Sequence, residues 1–316
     1  MDNILVTGGA GFIGSHVVER IIRSGKRVAV VDNLDEYYDP ELKRANLREV
    51  AASGKFEFHA LDIRDAEGVE RVFRDFQPEA VVHLAARPGV RASFLQPDLC
   101  ASVNVMGTLR LLETSRQSGV LRFIFASSSS VYGRTNRAPF TEDAATNHPL
   151  SIYAATKASG EALAYTFSQA YKLPVVCLRL FTVFGPRQRP DLAIRKFATL
   201  LLAGEEVPVF GDGSLQRDFT YVDDIVDGIL RALDIPTAFD VFNLGNSRPV
   251  ELNDMIETLA REMGKPVRKK FLPVPPGEMT LTHADLSKSR RMLGYSPQVS
   301  FEEGIRRFVG WLNAAK

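Results

Sequence analysis

Runs of consecutive apolar residues, rather than alternating ones, mark the first half of the chain. The segments NILVT (3–7), RVAVVD (27–32), FEFHALD (56–62), AVVHLAA (80–86), RFIFASSS (122–129) and PVVCLRL (174–180) read as strands covered on both faces. Between them, apolar positions at helical spacing predict helices over 12–24, 66–75, about 98–118 and about 150–171. Strand and helix in alternation predict an α/β fold on a doubly wound parallel sheet with right-handed crossovers. After Leu180 the rhythm changes. Pro and Gly become frequent in FGPRQRP, VPVFGDGS and FLPVPPGE, and short mixed elements replace the repeat. DVFNLGN (240–246) reads as one more strand returning to the main sheet. The predicted division is a first domain, 1–180 with a returning segment at about 219–247, and a smaller C-terminal α/β substrate-binding region, 181–218 and 248–316.

Composition narrows the partners. At 316 residues and 45% hydrophobic, the chain can build one large or two modest cores. Its 39 basic and 38 acidic residues nearly cancel, so neither nucleic acid nor a membrane surface is an expected partner. No apolar run approaches the roughly 18 residues of a spanning helix, and no targeting segment is read before the first strand. Cys100 and Cys177 stand far apart, the usage of a reducing compartment. A cytoplasmic protein is expected. The five histidines never fall at metal-ligand spacing, so no metal is expected.

The chemistry sits at one edge of the predicted sheet. TGGAGFIG (7–14) puts Gly8, Gly11 and Gly14 between the first strand and the first helix. Glycine there permits a tight turn, close approach of backbone to a pyrophosphate and tight helix packing, with the helix N-terminus facing the anion. Asp32 closes the next strand, where a carboxylate bonds an adenosine ribose and repels a 2′-phosphate; this favours NAD over NADP. Asp62–Ile63 and Ala85–Ala86 close the third and fourth strands at the same edge. ASSSSVYG delivers Ser127 to Ser130 there, and a serine hydroxyl can relay a proton between a substrate oxygen and a phenol.

PLSIYAATKASGE (149–161) supplies that phenol. Tyr153 and Lys157 are four residues apart, on one helix face, with the hydroxyl within reach of the ammonium. Bringing a tyrosine from about 10 to about 7 takes roughly 4 kcal/mol of differential stabilisation. The lysine and a bound oxidised nicotinamide are the expected sources. His83, at a strand end, reads as a packed structural histidine.

With these motifs in one order, the sequence resembles the extended short-chain dehydrogenase/reductases, specifically the nucleotide-sugar epimerases and dehydratases. The resemblance runs through TGGAGFIG, Asp32–Asn33, HLAA (83–86), SVYG (130–133), Tyr153 and Lys157, GDGSLQRDFTYVDD (211–224) and NLGN (243–246). It implies a Rossmann NAD-binding domain with Tyr153 as base, Lys157 on the nicotinamide ribose and lowering the Tyr153 pKa, and Ser128 as relay. It also implies cofactor contacts from Phe12, Ile13, Asn33 and Asn104 beside those above. Arg217 would meet the nucleotide diphosphate, with Arg91 and Glu278 also on the substrate side, in a homodimer paired through the long helices.

Two absences choose among reactions. The 4,6-dehydratases resemble this chain but carry an Asp-Glu pair where Ser129 and Ser130 stand, and the nucleotide-sugar acid decarboxylases carry a carboxylate in the same segment. Without a second acid or base, the expected reaction is 4-epimerisation through a 4-keto sugar, with NAD regenerated. RLFTVFGPRQRPDLA (179–193) has Thr182 where glucose-type epimerases usually have Asn, followed by Arg187 and Arg189. It resembles the UDP-glucuronate 4-epimerases, as does DNLDEYYDPELKRANL from Asp32. Thr182, Ser129, Ser130 and Arg189 would then surround a C6 carboxylate. Arg187 and Arg189 can alternatively serve the diphosphate or the surface. Glu278 stands in PPGEMTLTHAD where the family often has Asp, so uridine rests on the resemblance alone. The competing readings are a UDP-glucose or UDP-N-acetylglucosamine 4-epimerase and, in a different class, a non-catalytic NAD-binding sensor.

Overall fold

The computed structural model describes residues 1–134, 137–275 and 277–314. In chain order the first half runs β1 (Asn3–Thr7), α1 (Phe12–Arg23), β2 (Arg27–Val31), α2 (Pro40–Ala51), β3 (Glu57–His59), α3 (Ala66–Phe76) and β4 (Ala80–His83). It continues with α4 (Val90–Leu95), α5 (Pro97–Ala101), a π-helical turn (Ser102–Gly107), α6 (Thr108–Gln117), β5 (Arg122–Ser128), a 3₁₀ turn (Ser129–Tyr132), α7 (Ile152–Tyr171) and β6 (Val175–Leu180). The remainder is β7 (Thr182–Phe184), α8 (Ala193–Ala203), β8 (Val207–Phe210), β9 (Gln216–Tyr221), α9 (Val222–Asp234), β10 (Phe239–Leu244), β11 (Pro249–Glu251), α10 (Leu252–Met263), β12 (Lys269–Leu272), α11 (Ser287–Leu293) and α12 (Phe301–Ala314).

Among the described residues the large sheet has seven strands in the order β10-β6-β5-β4-β1-β2-β3, all parallel. Its central strands are apolar on both faces because helices cover both: Ile4 and Val6 enter one core with α1 and α9, while Leu5 and Val81 enter the other with α3 and α6. The chain leaves β1 for β2 on one side and later places β4 on the other. This reversal opens a crevice beyond the carboxyl ends of β1 and β4, where ligands of such sheets bind. β10 pairs along its whole length with β6, so a strand from late in the sequence completes the large sheet. Two small sheets, β11-β9-β7 and β12-β8, lie beyond it.

Two elements differ from the periodicity reading. α2 was not anticipated: it buries only Lys43, Asn46 and Val50, too few apolar positions to register, although Asp39 caps it by accepting from Glu41 N–H and Pro40 opens it. The single helix expected over 98–118 is instead α5, the π turn and α6. The π turn lets Asn104 point inward while the helical path continues.

Candidate active site

The crevice is a cleft of about 450 Å³. Its lining brings together Gly8, Gly11, Phe12, Ile13, Gly14, Asp32, Asn33, Asp62, Ile63, Ala85, Ala86, Ser128, Tyr153, Lys157, Thr182 and Arg189. Sixteen positions from strand ends, loops and the first turns of α1 and α7 thus converge on one edge, with Ser127, Ser129 and Ser130 beside them. A recess of about 110 Å³ adjoins it, sharing Ser129, Ser130 and Thr182 and adding Arg217 and Glu278.

At the dinucleotide end, the glycine turn is built for close approach. Gly8 holds a positive φ of 72°, and a Cβ on Gly14 would lie 2.1 Å from the Gly8 carbonyl oxygen. α1 has neither a side-chain cap nor an acidic residue in its first turn, so its N-terminal N–H groups are left for an anion. Asp32 accepts from Ala10 N–H at 3.1 Å and from Leu34 N–H at 2.9 Å, with Lys43 Nζ at 3.8 Å. Burial pushes its carboxyl pKa up while Lys43 and the two N–H groups oppose that. A carboxylate fixed in this way at the strand end retains free lone pairs for ribose hydroxyls, so these residues fit a dinucleotide.

At the other end, α7 starts at Ser151, whose side chain accepts from Ala154 N–H. Gly160 lets α7 lie directly on β5, since a Cβ there would meet the Phe125 ring at 2.3 Å. The first turns of α7 therefore hold Tyr153 and Lys157 over the end of β5. Ser128 is a hydrogen-bond partner of Tyr153. Ser128 also caps the 3₁₀ turn, accepting from Ser130 N–H at 3.2 Å and donating to Ser130 Oγ at 3.1 Å. Ser127 turns away and donates to Glu161.

The expectation that Lys157 lowers the Tyr153 pKa is not met by the protein groups. Burial pushes Tyr153 upward, with the Ser128 hydrogen bond and then Arg189 acting against it. Lys157 Nζ lies 6.0 Å from the Tyr153 ring centroid and donates to Ala126 O at 2.7 Å. Removing the ammonium from water also brings its own pKa down to about 8. His83 is confirmed as packed: it bridges Thr7 Oγ1 and Thr108 Oγ1, and burial followed by Lys157 pushes its pKa down to about 3.

Three further placements bear on the sequence reading, two departing from it and one choosing among its alternatives. Asn104 does not line the cleft: it accepts from Arg87 N–H and donates to Arg87 O and Thr156 Oγ1, clipping the loop after β4 from behind. Arg187 points away, into Glu19 and Glu49, because these carboxylates on α1 and α2 offer it a closed ion pair. Arg91 lies outside both recesses, half-exposed over the Phe210 ring, with Nη2 3.5 Å from Glu278. Glu278 in turn pairs with Arg217, so the recess ends in two cations around one carboxylate.

Of the rim, sequence reasoning named Arg189 alone. Arg87 pairs with Asp35 and stacks 4.8 Å over Tyr37, whose hydroxyl donates to Asp191 Oδ2 at 3.3 Å. Arg189 grips Asp191 with two bonds of 3.0 Å. Tyr37, Tyr38, Lys43 and Arg87 all line the cleft. The DNLDEYYDPELKRANL segment was the available signal.

Residues 5–308 match the family model of GDP-mannose 4,6 dehydratase. UDP-glucuronate 4-epimerase of Thermodesulfobacterium geofontis is 41% identical over 312 residues, covering 98% of this chain and 96% of its own length. The crystal structure of UDP-glucuronic acid 4-epimerase from Bacillus cereus, in complex with UDP-glucuronic acid and NAD, superposes with a TM-score of 0.93 at 36% identity, covering 99% of both chains. That of UDP-glucose 4-epimerase from Thermotoga maritima with UDP-glucose does so with a TM-score of 0.92 at 37% identity, again over 99% of both chains.

Proposed function

The chain belongs to the GDP-mannose 4,6 dehydratase family, and we propose that this NAD-dependent nucleotide-sugar 4-epimerase acts on a UDP-hexuronic acid, interconverting UDP-glucuronate and UDP-galacturonate. The acid and neutral-sugar relatives are almost equally similar overall, so the reading rests on the site. The observation that carries it is the junction of the two recesses. Ser129, Ser130 and Thr182 line both, Arg189 lines the larger one, and the Ser128–Ser130 segment has no carboxylate. Hydroxyl donors with a guanidinium in the same cleft suit a C6 carboxylate, and the Ser128–Ser130 segment offers no carboxylate as a second acid or base.

Bound NAD supplies reversible hydride acceptance at C4. The chain's own groups handle the protons. Tyr153 as phenolate takes the C4 hydroxyl proton and later returns it to the oxygen on the opposite face, with Ser128 spanning base and substrate. Lys157, fixed on Ala126 O, is the buried cation near the phenolate. Arg217, in the smaller recess, holds the diphosphate end, remote from C4, while the ring turns over. Donors that keep the carboxylate in the plane of the C4 carbonyl suppress loss of carbon dioxide from the β-keto acid.

The test uses purified protein without added cofactor, incubated separately with UDP-glucuronate and UDP-glucose and followed by the anomeric proton signals. Conversion of the glucuronate alone to its galacto epimer supports the reading. Turnover of UDP-glucose alone overturns the acid assignment and leaves a neutral-sugar epimerase.

A further inference from the structure

We propose that Arg87 and Tyr37, with Asp35, form a strap across the dinucleotide end of the cleft that controls entry and release of the cofactor. This rests on the dinucleotide reading of the cleft, whichever sugar is turned over.

The sheet order carries the argument. β1 lies between β4 and β2, so the loops after β4 and β2 leave the sheet about 10 Å apart, one on each side of the glycine turn. They nevertheless touch. The Arg87 guanidinium, from the loop after β4, pairs with the Asp35 carboxylate from the loop after β2 and lies 4.8 Å from the Tyr37 ring centroid. Gly89 leaves room for this, since a Cβ there would stand 2.6 Å from the Tyr37 hydroxyl oxygen. A contact between the two neighbours of β1 has to cross the line of β1. Asp35, Tyr37, Arg87 and Gly89 all line the same cleft as Gly8, Gly11 and Gly14. The loop after β7 joins the same ring: Asp191 Oδ2 accepts from the Tyr37 hydroxyl at 3.3 Å, and the Arg189 guanidinium lies 5.8 Å from the centroid. Three loops from three strands thus meet on one tyrosine.

The two ends of the span are braced through the main chain, and the span is not. Asn104 accepts from Arg87 N–H at 2.7 Å and donates to Arg87 O at 3.1 Å. On the other side Lys43 Nζ donates to Asp35 O at 2.9 Å, and Asp35 Oδ1 accepts from Tyr37 N–H at 2.8 Å. The crossing itself is made of side chains alone: one ion pair, one cation against a ring and one hydroxyl bond. Asp35 and Tyr37 are only partly buried, so these contacts can part while both loops keep their course. Gln96 Oε1, 2.6 Å from Arg87 Nη2, stays as a partner for the guanidinium when Asp35 lets go. Such a barrier suits a reaction that returns NAD to its oxidised form in every cycle, because the cofactor has no need to leave.

Arg87→Gln opens the ion pair, Tyr37→Leu removes the ring and the hydroxyl, and Arg87→Asp/Asp35→Arg reverses the pair. Isotopically labelled NAD is added in excess to the purified holoenzyme, and the mass of the bound NAD against time gives the release rate. Bound NAD after serial dilution gives Kd, and release rate over Kd gives the entry rate. The expected result in Arg87→Gln and Tyr37→Leu is that release and entry both quicken, by about tenfold, while Kd holds. The reversed pair slows both again. Faster release with unchanged entry makes these side chains ordinary cofactor contacts and overturns the strap, as does exchange at the parent's rate in both single variants. Neither result touches the dinucleotide site, whereas a parent that holds no NAD overturns the strap and that site together.

Discussion

The floor and the rim of the cleft each contain an arginine gripping a carboxylate with two hydrogen bonds, and the two pairs do different work. Arg179 and Glu161 sit on a strand and a helix, with side chains 5% and 9% exposed. Arg189 and Asp191 sit two residues apart on one loop, 19% and 34% exposed. In the floor, neither charge can be solvated if its partner is lost, so the pair fixes geometry. At the rim, water screens the pair and either member can exchange partners. The bond lengths are similar; the surroundings decide what each pair can do.

The largest effect expected in the floor is catalytic. Tyr153→Phe should lower kcat by about 10²- to 10⁴-fold, while bound NAD and the thermal midpoint stay near the parent values; an equal loss of NAD would mean the floor itself had moved. Next comes acid sensitivity. The folded pKa of His83 is about 3 against an ordinary value of 6.5. The unfolded chain therefore binds more protons between those two pH values, and stability should be complete above 6.5 and fall as pH drops toward 3. Denaturation midpoints against pH should lose this slope in His83→Gln.

Arg179→Met strands the Glu161 carboxylate and should cost about 3–5 kcal/mol in urea unfolding. The rim should be milder. Arg189→Gln should reduce kcat/KM for UDP-glucuronate by roughly ten- to a hundredfold, the worth of a charge-assisted hydrogen bond. Asp191→Asn should change stability by no more than about 1 kcal/mol. A loss from Asp191→Asn as large as that from Arg179→Met would erase the contrast between the two regions.

The floor was also the more legible region. The glycine turn, Asp32, the serines, Tyr153 and Lys157 all lie at strand ends or on a regular helix, where spacing along the chain translates into position in space. Glu161, although inside the same quoted segment, gave no signal because its partner Arg179 belongs to another strand. The rim is assembled from the loops after β2, β4 and β7, so nothing local ties Tyr37 to Asp191 or Arg87 to Asp35. Arg187 shows the same limit: it shares a loop with Arg189, yet Glu19 and Glu49 draw it to the far side. Asn104 was assigned to the cofactor by the resemblance alone, and periodicity does not register the π turn on which it sits.

The return of β10 to the edge of β6 reaches beyond the finished molecule, to the order in which a ribosome delivers it. Six strands of the large sheet have been synthesised once Leu180 is made, but the seventh does not exist until residues 239–244 follow. Throughout that interval β6, apolar on both faces, presents an open row of peptide groups, the kind of edge that recruits a neighbouring nascent chain. Synthesis of the intervening segment thus sets a time window during which this protein depends on shielding from its own copies.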